Sequence, residues 1–220
     1  MHLDCSFSSL WLSIEVLFWS LLWQCIIGTA LAWLLARKDF WGKGALDGVV
    51  TLPLIFPPIV IGYGLLLTWG QNGWLSTLLP ELLRPALIFT TKGLIVAAFI
   101  AGLPLMVKPL QTAFSNVPRR LHEAAATLGY SKWRIFLFVD LPLIRKGLAA
   151  GLILAGGRAL GEVGISLMLG GNIAGRTETL SLAIFNHVMD ANFACANTLS
   201  LLLAAFAGLS FYVLRRFGAL

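Results

Sequence analysis

Residues 123–142 have the sequence EAAATLGYSKWRIFLFVDLP, a charged, helix-forming block between long apolar segments. A chain that is apolar almost everywhere else has little reason to keep such a block unless a soluble partner contacts it. The alanines at 124–126 favour helix and leave a surface small enough for another protein to approach closely. This block therefore predicts a docking element outside the membrane.

The caps of the block predict its local structure. A first short helix is expected over 119–128, and Gly129 suits a left-handed C-terminal cap. Ser131 can begin a second short helix, which Pro142 is expected to end. The prediction is two short helices that meet at a glycine bend, held by a membrane span on either side.

The composition indicates an integral membrane protein. The chain has 220 residues, of which 58% are hydrophobic and only 12% are charged, whereas soluble domains carry roughly 25% charged residues. The net charge of +6 could indicate a nucleic-acid partner, but the basic residues cluster between apolar runs, as in membrane topology, and not on one amphipathic face. We expect no nucleic-acid partner, and the length is that of a single domain.

A spanning helix needs about 20 mostly apolar residues. Five segments meet this length, and residues 115–142 form a loop between the third and the fourth of them. The segments are 10–36, 46–69, 93–114, 147–169 and 198–214. The fold class expected is all-α, with five transmembrane helices.

The distribution of positive charge predicts the orientation, because basic residues concentrate in cytoplasmic loops. Most of the 16 basic residues lie on one side. These are Arg37, Lys38, Lys43, Lys108, Arg119, Arg120, Lys132, Arg134, Arg145, Lys146, Arg215 and Arg216. The opposite side has Arg84, Lys92 and Arg176. The N-terminus is therefore predicted outside, and both the C-terminus and residues 123–142 in the cytoplasm.

The second segment contains the run LPLIFPPIVIGYG at 52–64. Its prolines, including Pro57 and Pro58, each remove a backbone donor. A broken helix inside a membrane is tolerated where protein or a water-filled path covers the freed carbonyls. The run predicts either a kinked helix that lines a pathway or a packing kink.

The fourth segment carries an ionisable pair. Arg158 and Glu162 are four residues apart on one helix face, so they can neutralise each other. They are candidates for a translocation path or gate, and the alternative is a pair that holds helices together. Gly157 and Gly161 form a small-xxx-small spacing, which predicts close helix packing within the subunit or across a dimer.

Three common nucleotide-binding and catalytic motifs are absent from the sequence. It has no G-x-x-x-x-G-K-[ST] phosphate loop, no H-E-x-x-H and no G-x-S-x-G. Its three cysteines have no ligand-like spacing. We expect no enzyme activity, no catalytic residue, no cofactor and no metal, with a membrane enzyme or an assembly scaffold as distant alternatives.

The charged block resembles the cytoplasmic signature of ABC-importer permeases. That signature is EAA, three residues, G, nine residues, I, one residue, LP. The matching residues are Glu123, Ala124, Ala125, Gly129, Val139, Leu141 and Pro142, where Val139 replaces isoleucine. The resemblance implies the type I importer fold. It also implies that the six residues other than Val139 couple the chain to an ATPase.

Four further segments are similar to molybdate permeases, so the resemblance covers roughly 31–214. The run at 52–64 and the glycine-flanked turn at 70–75 are two parts of it. The segment RALGEVG at 158–164 resembles R-[SA]-L-G-E-F-G, with Val163 in place of the aromatic residue. The loop NIAGRTET at 172–179 resembles N-I-P-G-E-T-R-T, with Ala174 in place of proline and with Arg176 and Glu178 in the opposite order.

This family resemblance implies a function and a set of partners. The chain would be the molybdate permease of the bacterial inner membrane, and tungstate or sulfate would be alternative cargoes of the same shape and charge. Two copies would form a homodimer in lipid around a central path. A separate dimer of ATP-binding subunits would supply energy, and a periplasmic oxyanion-binding protein would deliver the anion.

Overall fold

The computed structural model describes residues 8–70, 73–74 and 87–216, and all regular secondary structure in these ranges is helical. The all-α prediction is therefore confirmed for this part of the chain.

The helices are numbered here in chain order. They are α1 (Ser8–Arg37, with a π-helical turn at Gln24–Gly28), α2 (Lys43–Ile55), α3 (Pro58–Trp69), α4 (Thr91–Ser115), α5 (Arg119–Thr127), α6 (132–160), α7 (Gly164–Gly170), α8 (Leu180–Met189) and α9 (Phe193–Leu214). Helix α6 joins Lys132–Ile135, a π-helical turn at Phe136–Asp140 and Leu141–Leu160 without a gap.

Helices α1, α4 and α9 are each long and apolar enough to cross a membrane by themselves. The second predicted segment is divided into α2 and α3, and the predicted kink is confirmed because Phe56 and Pro57 are extended between them. The fourth predicted segment is also interrupted, between α6 and α7. Five spans remain a prediction.

Helix α4 forms the centre of the fold and packs against α1, α2, α6 and α7. Its residues Leu94, Met106, Leu110 and Phe114 are fully buried. In a membrane, burying an apolar side chain brings no hydrophobic gain, because lipid tails are equally apolar. The burial of these four residues therefore reflects close packing against other helices. Helix α4 is thus the element around which the others are placed.

Small residues of α6 allow its close approach to α4. A Cβ added at Gly147 would lie 2.5 Å from the Cβ of Ala113, and one at Gly151 would lie 3.0 Å from the carbonyl oxygen of Met106. Ala155, one turn further on, is fully buried. The packing face therefore runs through 147, 151 and 155.

The predicted glycine face at 157 and 161 has no close neighbour among the described residues. A Cβ added at Gly157 would meet nothing within 4 Å, and one at Gly161 would meet only the carbonyl oxygen of Gly157. Within the described part of the chain, the close packing of α6 uses Gly147 and Gly151 instead of this pair. A role across a dimer stays a prediction.

A buried glutamine fixes α1 to α4. Gln24 is fully buried at the π-helical turn of α1, and its Nε2 donates to the carbonyl oxygens of Ala98 and Phe99 at 3.1 and 3.2 Å. Gly102 leaves room for this side chain, because an added Cβ would lie 2.3 Å from Nε2. Hydrogen bonds of this kind give α1 a fixed register on the central helix.

Candidate coupling site and broken-helix elements

Helix α5 and its cap have the predicted form. Gly129 has φ of +80°. The N–H of Gly129 donates to the carbonyl oxygen of Ala126 at 3.0 Å, and the N–H of Tyr130 donates to that of Ala125 at 3.1 Å. These are the two hydrogen bonds of a Schellman motif, so the glycine bend is confirmed.

The second half of the loop differs from the prediction. Ser131 does begin a helix, since its side chain accepts from the N–H of Arg134, but Pro142 does not end that helix. The N–H of Leu141 bonds to the carbonyl oxygen of Phe136 in a π-helical turn, and Pro142, which has no N–H to donate, follows directly. Helix α6 therefore runs unbroken from the loop into the apolar region.

Helix α5 has an inner and an outer face. Ala125 is buried on the inner face, whereas Glu123 and Ala124 are exposed. The Glu123 side chain makes no hydrogen bond or ion pair with any residue in the described ranges. Of the other two signature residues, Leu141 is half-buried and Pro142 is exposed. An exposed carboxylate on a fixed helix is available to an external partner.

A buried charge cluster joins α5 to the rest of the fold. The Asp140 side chain is 4% exposed, and its Oδ1 lies 2.9 Å from Nε2 of His122 and 3.4 Å from Nη2 of Arg37. Arg37 Nη1 also donates to the carbonyl oxygen of Val117 at 3.3 Å. The cluster therefore connects the end of α1, α5 and α6.

This cluster was not predicted from the sequence. Its members are far apart in the chain, and only the single acidic residue at 140 in an apolar run could have indicated it. A buried carboxylate is tolerated only when it is paired. Here its two partners come from different helices.

The two interrupted segments meet at their breaks. A Cβ added at Gly164 would lie 2.9 Å from the Cβ of Pro58 and 3.0 Å from the backbone nitrogen of Ile59. One added at Gly62 would lie 2.9 Å from the Cα of Ile165. Helices α3 and α7 are thus in backbone contact. Pro57 and Pro58, predicted as gate residues, lie at this junction, and Pro57 is exposed.

The other two predicted gate residues lie beside the junction. Arg158 Nη1 is 2.5 Å from Oε2 of Glu162, and the Glu162 side chain is 1% exposed. The other carboxylate oxygen, Oε1, accepts from the backbone N–H of Ile165 at 2.6 Å. Glu162 therefore both pairs with Arg158 across the break and caps the first turn of α7.

The loop at 172–179 is closed by its own hydrogen bonds. Thr177 is fully buried, and its hydroxyl donates to the carbonyl oxygen of Gly170 at 2.6 Å. The amide of Asn186 donates to Asn172 at 3.1 Å and to Glu178 at 2.6 Å. The loop is thus tied to α7 and α8. Half of the predicted turn at 70–75, namely Gln71, Asn72 and Leu75, lies outside the described residues, as does Arg84.

The structure separates the predicted site residues into two groups joined by one helix. Leu141 and Pro142 belong to α6 near the charged loop, and Arg158 belongs to the last turn of the same helix. At about 1.5 Å per residue, the two groups are about 26 Å apart along the axis. One continuous helix thus connects the charged loop with the region of the broken helices.

A largely apolar chain whose described residues form only helices, with two interrupted helices in contact and a separate charged loop, has the features of a membrane transport subunit. Residues 28–218 match the family model described as binding-protein-dependent transport system inner membrane component. The chain belongs to this family.

The sequences of several named transport proteins are similar to this chain, which is consistent with that membership. The chain is 40% identical over 181 residues to the molybdenum transport system permease protein ModB of Haemophilus influenzae, covering 82% of this chain and 79% of the relative. It is 37% identical to the protein of that name in Escherichia coli, covering 84% and 81%. It is also 37% identical to the chloroplastic sulfate permease 2 of Chlamydomonas reinhardtii, covering 83% and 49%.

The fold has a counterpart among solved structures. A crystal structure of a bacterial ABC transporter involved in import of the acidic polysaccharide alginate has a chain that matches with a TM-score of 0.79. The match covers 98% of this chain and 79% of that one, at 16% identity. It shows that this chain has the fold of an ABC importer chain.

Proposed function

We propose that this chain is the permease subunit of an ABC importer that moves molybdate across the bacterial inner membrane. The observation that carries the proposal is identity of 37–41% to molybdenum permeases over most of the chain. The resemblance of 123–142 to the coupling signature and the exposed face of α5 support it. Energy would come from an ATP-binding subunit on a separate chain.

Coupling would proceed through α5 and α6. The exposed Glu123 and Ala124 would contact the ATPase, and the Asp140 cluster would make α5 and the start of α6 move together. Because α6 is continuous as far as Leu160, its displacement would alter the junction of α3 and α7. The broken helices would thus have two alternative arrangements, and ATP binding would favour one of them.

The remaining partners follow from the same proposal. The path would lie between two copies of the chain, which would form a homodimer. The N-terminus would be periplasmic and the C-terminus cytoplasmic. A periplasmic binding protein would deliver the oxyanion to the outer loops.

Sulfate is the second candidate cargo, because sulfate permeases are also among the relatives, at 31–37% identity. Tungstate, with the shape and charge of molybdate, is a third. All three are tetrahedral dianions, so recognition is expected to depend mainly on the binding protein.

The substrate prediction is tested by uptake. Cells that lack other oxyanion importers and express this chain with its ATPase and binding protein are expected to accumulate molybdate at least about tenfold faster than sulfate, a difference of about 1.4 kcal/mol. Calorimetry of the binding protein with each oxyanion is the companion measurement. Equal or faster sulfate uptake would identify a sulfate importer, and no uptake of any oxyanion would contradict the permease proposal.

The buried cluster predicts a coupling defect. Asp140→Asn keeps the size of the side chain but removes the charge that pairs with His122 and Arg37. In proteoliposomes, we expect the ATP hydrolysed per molybdate transported to rise several-fold. We also expect the free energy of unfolding to fall by about 1–3 kcal/mol, the cost of unsatisfied buried polar groups.

Asp39→Asn is the matched control for Asp140→Asn. Asp39 accepts from Lys43 at 2.9 Å, but its side chain is 94% exposed, so its pair contributes little. This control is expected to leave the coupling ratio unchanged. An unchanged ratio in Asp140→Asn itself would show that the cluster has no part in coupling.

A further inference from the structure

An apolar groove of about 880 Å³ lies between α1, α5 and the start of α6. Its α1 wall extends from Cys25 to Lys38, which is about 20 Å of helix at about 1.5 Å per residue. One leaflet of a bilayer has about 15 Å of hydrocarbon. The groove is therefore deep enough to accept an acyl chain from one leaflet.

The walls of the groove are apolar where they would lie in hydrocarbon. Ile26, Ala30 and Trp33 form the α1 side, and Phe136 and Leu148 are among the α6 residues opposite. Ile26 is 56% exposed, so the groove is open to the surroundings of the helix bundle. In a bilayer, an open apolar groove at this depth would be filled by the acyl chain of a lipid.

The end of the groove at the charged loop is basic. Lys38, Arg119 and Lys132 contribute exposed side chains there, and none of the three forms an ion pair with a residue in the described ranges. Lys38 is held over the ring of Trp33, with Nζ 5.9 Å from the ring centroid. The cations are therefore arranged at the mouth of the groove without a fixed counter-ion.

Of the acidic residues near this mouth, Asp140 and Asp39 have partners, and the single charge of Glu123, one turn from Arg119 on α5, does not offset three cations. Asp140, the acidic residue in the groove lining, is occupied by His122 and Arg37. Asp39 is paired with Lys43, whose hydrogen bond and charge lower the pKa of the Asp39 carboxyl, and the charge of Arg119 lowers it further. Excess positive charge is left at the end of an apolar groove.

We infer that this groove binds one anionic glycerophospholipid of the cytoplasmic leaflet. One acyl chain would lie along Ile26, Ala30 and Trp33, and the phosphate would be held by Lys38, Arg119 and Lys132. Basic pockets between helices on the cytoplasmic side are suited to anionic head groups. The leaflet named here depends on the orientation in the proposed function, whereas binding to the groove does not.

The proposed lipid would join three parts of the coupling region. Lys38 follows α1, Arg119 begins α5 and Lys132 begins α6. A single phosphate between them would hold the start of α5 against the ends of α1 and α6. The bound lipid would thus stabilise the same arrangement as the Asp140 cluster.

Native mass spectrometry of the purified full chain tests the charge requirement. With equal amounts of phosphatidylglycerol and phosphatidylcholine added in detergent, we expect the chain to retain phosphatidylglycerol about tenfold more strongly. The double variant Arg119→Gln/Lys132→Gln is expected to lose this preference. The control Arg145→Gln/Lys146→Gln removes two exposed charges from α6 outside the groove lining and is expected to keep it.

A second variant tests the groove itself. Ala30→Phe fills the apolar wall and leaves every basic residue in place, so we expect phosphatidylglycerol retention to fall to the level of phosphatidylcholine. Leu22→Phe, an exposed position of α1 outside the groove lining, is the control and is expected to bind as the native chain does.

Three outcomes would overturn the lipid site. The first is equal retention of the two lipids by the native chain. The second is a loss of the phosphatidylglycerol preference in Arg145→Gln/Lys146→Gln as large as that in Arg119→Gln/Lys132→Gln. The third is full retention of phosphatidylglycerol by Ala30→Phe. The second and third outcomes would show that anionic lipid is attracted to the basic surface as a whole and not to the groove. None of these measurements involves ATP or molybdate, so failure of the proposed transport function would leave them unaffected.

Discussion

Glu123→Ala is expected to reduce molybdate uptake by at least about tenfold, the effect of losing about 1.4 kcal/mol of docking free energy, without changing thermal unfolding. Glu123 is exposed on α5 and contacts no charged partner in the described part of the chain. Its removal therefore affects only an external partner. The measurements are uptake in cells and unfolding temperature in detergent.

The control for Glu123→Ala is the same substitution at another exposed glutamate. Glu15 is exposed on α1, far in sequence from the charged loop, and Glu15→Ala is expected to leave uptake unchanged. Native uptake in Glu123→Ala would show that this carboxylate does not couple the chain to an ATPase.

Gly129 tests the same interface through the backbone. Gly129→Val places a side chain at φ of +80° and costs about 1–2 kcal/mol of local strain. Gly42 has φ of +93°, and an added Cβ at either glycine would meet nothing within 4 Å. Gly42→Val is thus equally strained. We expect only Gly129→Val to lower transport-coupled ATPase activity, because only Gly129 sets the angle between α5 and α6.

Glu162→Ala is the second substitution with a large expected effect. It removes the partner of Arg158 and the cap of α7 together. We expect the free energy of unfolding to fall by about 3 kcal/mol, the low end of the cost of breaking a buried ion pair. Uptake is expected to be lost as well, because α7 contacts α3 at the junction of the broken helices.

Glu162→Gln distinguishes the cap from the charge. A glutamine oxygen can still accept from the N–H of Ile165, but it no longer neutralises Arg158. We expect Glu162→Gln to recover part of the stability lost in Glu162→Ala, as measured by thermal unfolding in detergent. If Glu162→Ala retained both native stability and native uptake, Glu162 would be neither a structural nor a pathway residue.

Local features of the sequence predicted local structure well. The cap at Gly129, the start of a helix at Ser131 and the break at Pro57 depend on interactions within a few residues, so short patterns contain enough information to predict them. The end assigned to the helix at Pro142 was wrong. A proline was expected to stop the helix, but the π-helical turn at 136–140 accommodates it.

Long-range features could not be predicted in this way. A spacing of small residues in α6 predicts that one face packs closely, but several registers satisfy the same pattern. Only the position of α4 selects Gly147 and Gly151 over Gly157 and Gly161. The Asp140 cluster was missed for the same reason, since Arg37 is 103 residues away from Asp140 in the chain.

By itself, the sequence determined that this chain is an apolar, all-helical membrane protein with one charged, capped loop, because composition and backbone capping are properties of neighbouring residues. The tertiary structure decided which helix faces meet, which charges are buried together, and that α6 connects the loop to the broken helices. Those features depend on contacts between residues distant in the chain. Their energies come from packing and desolvation, which exist only after the helices have associated.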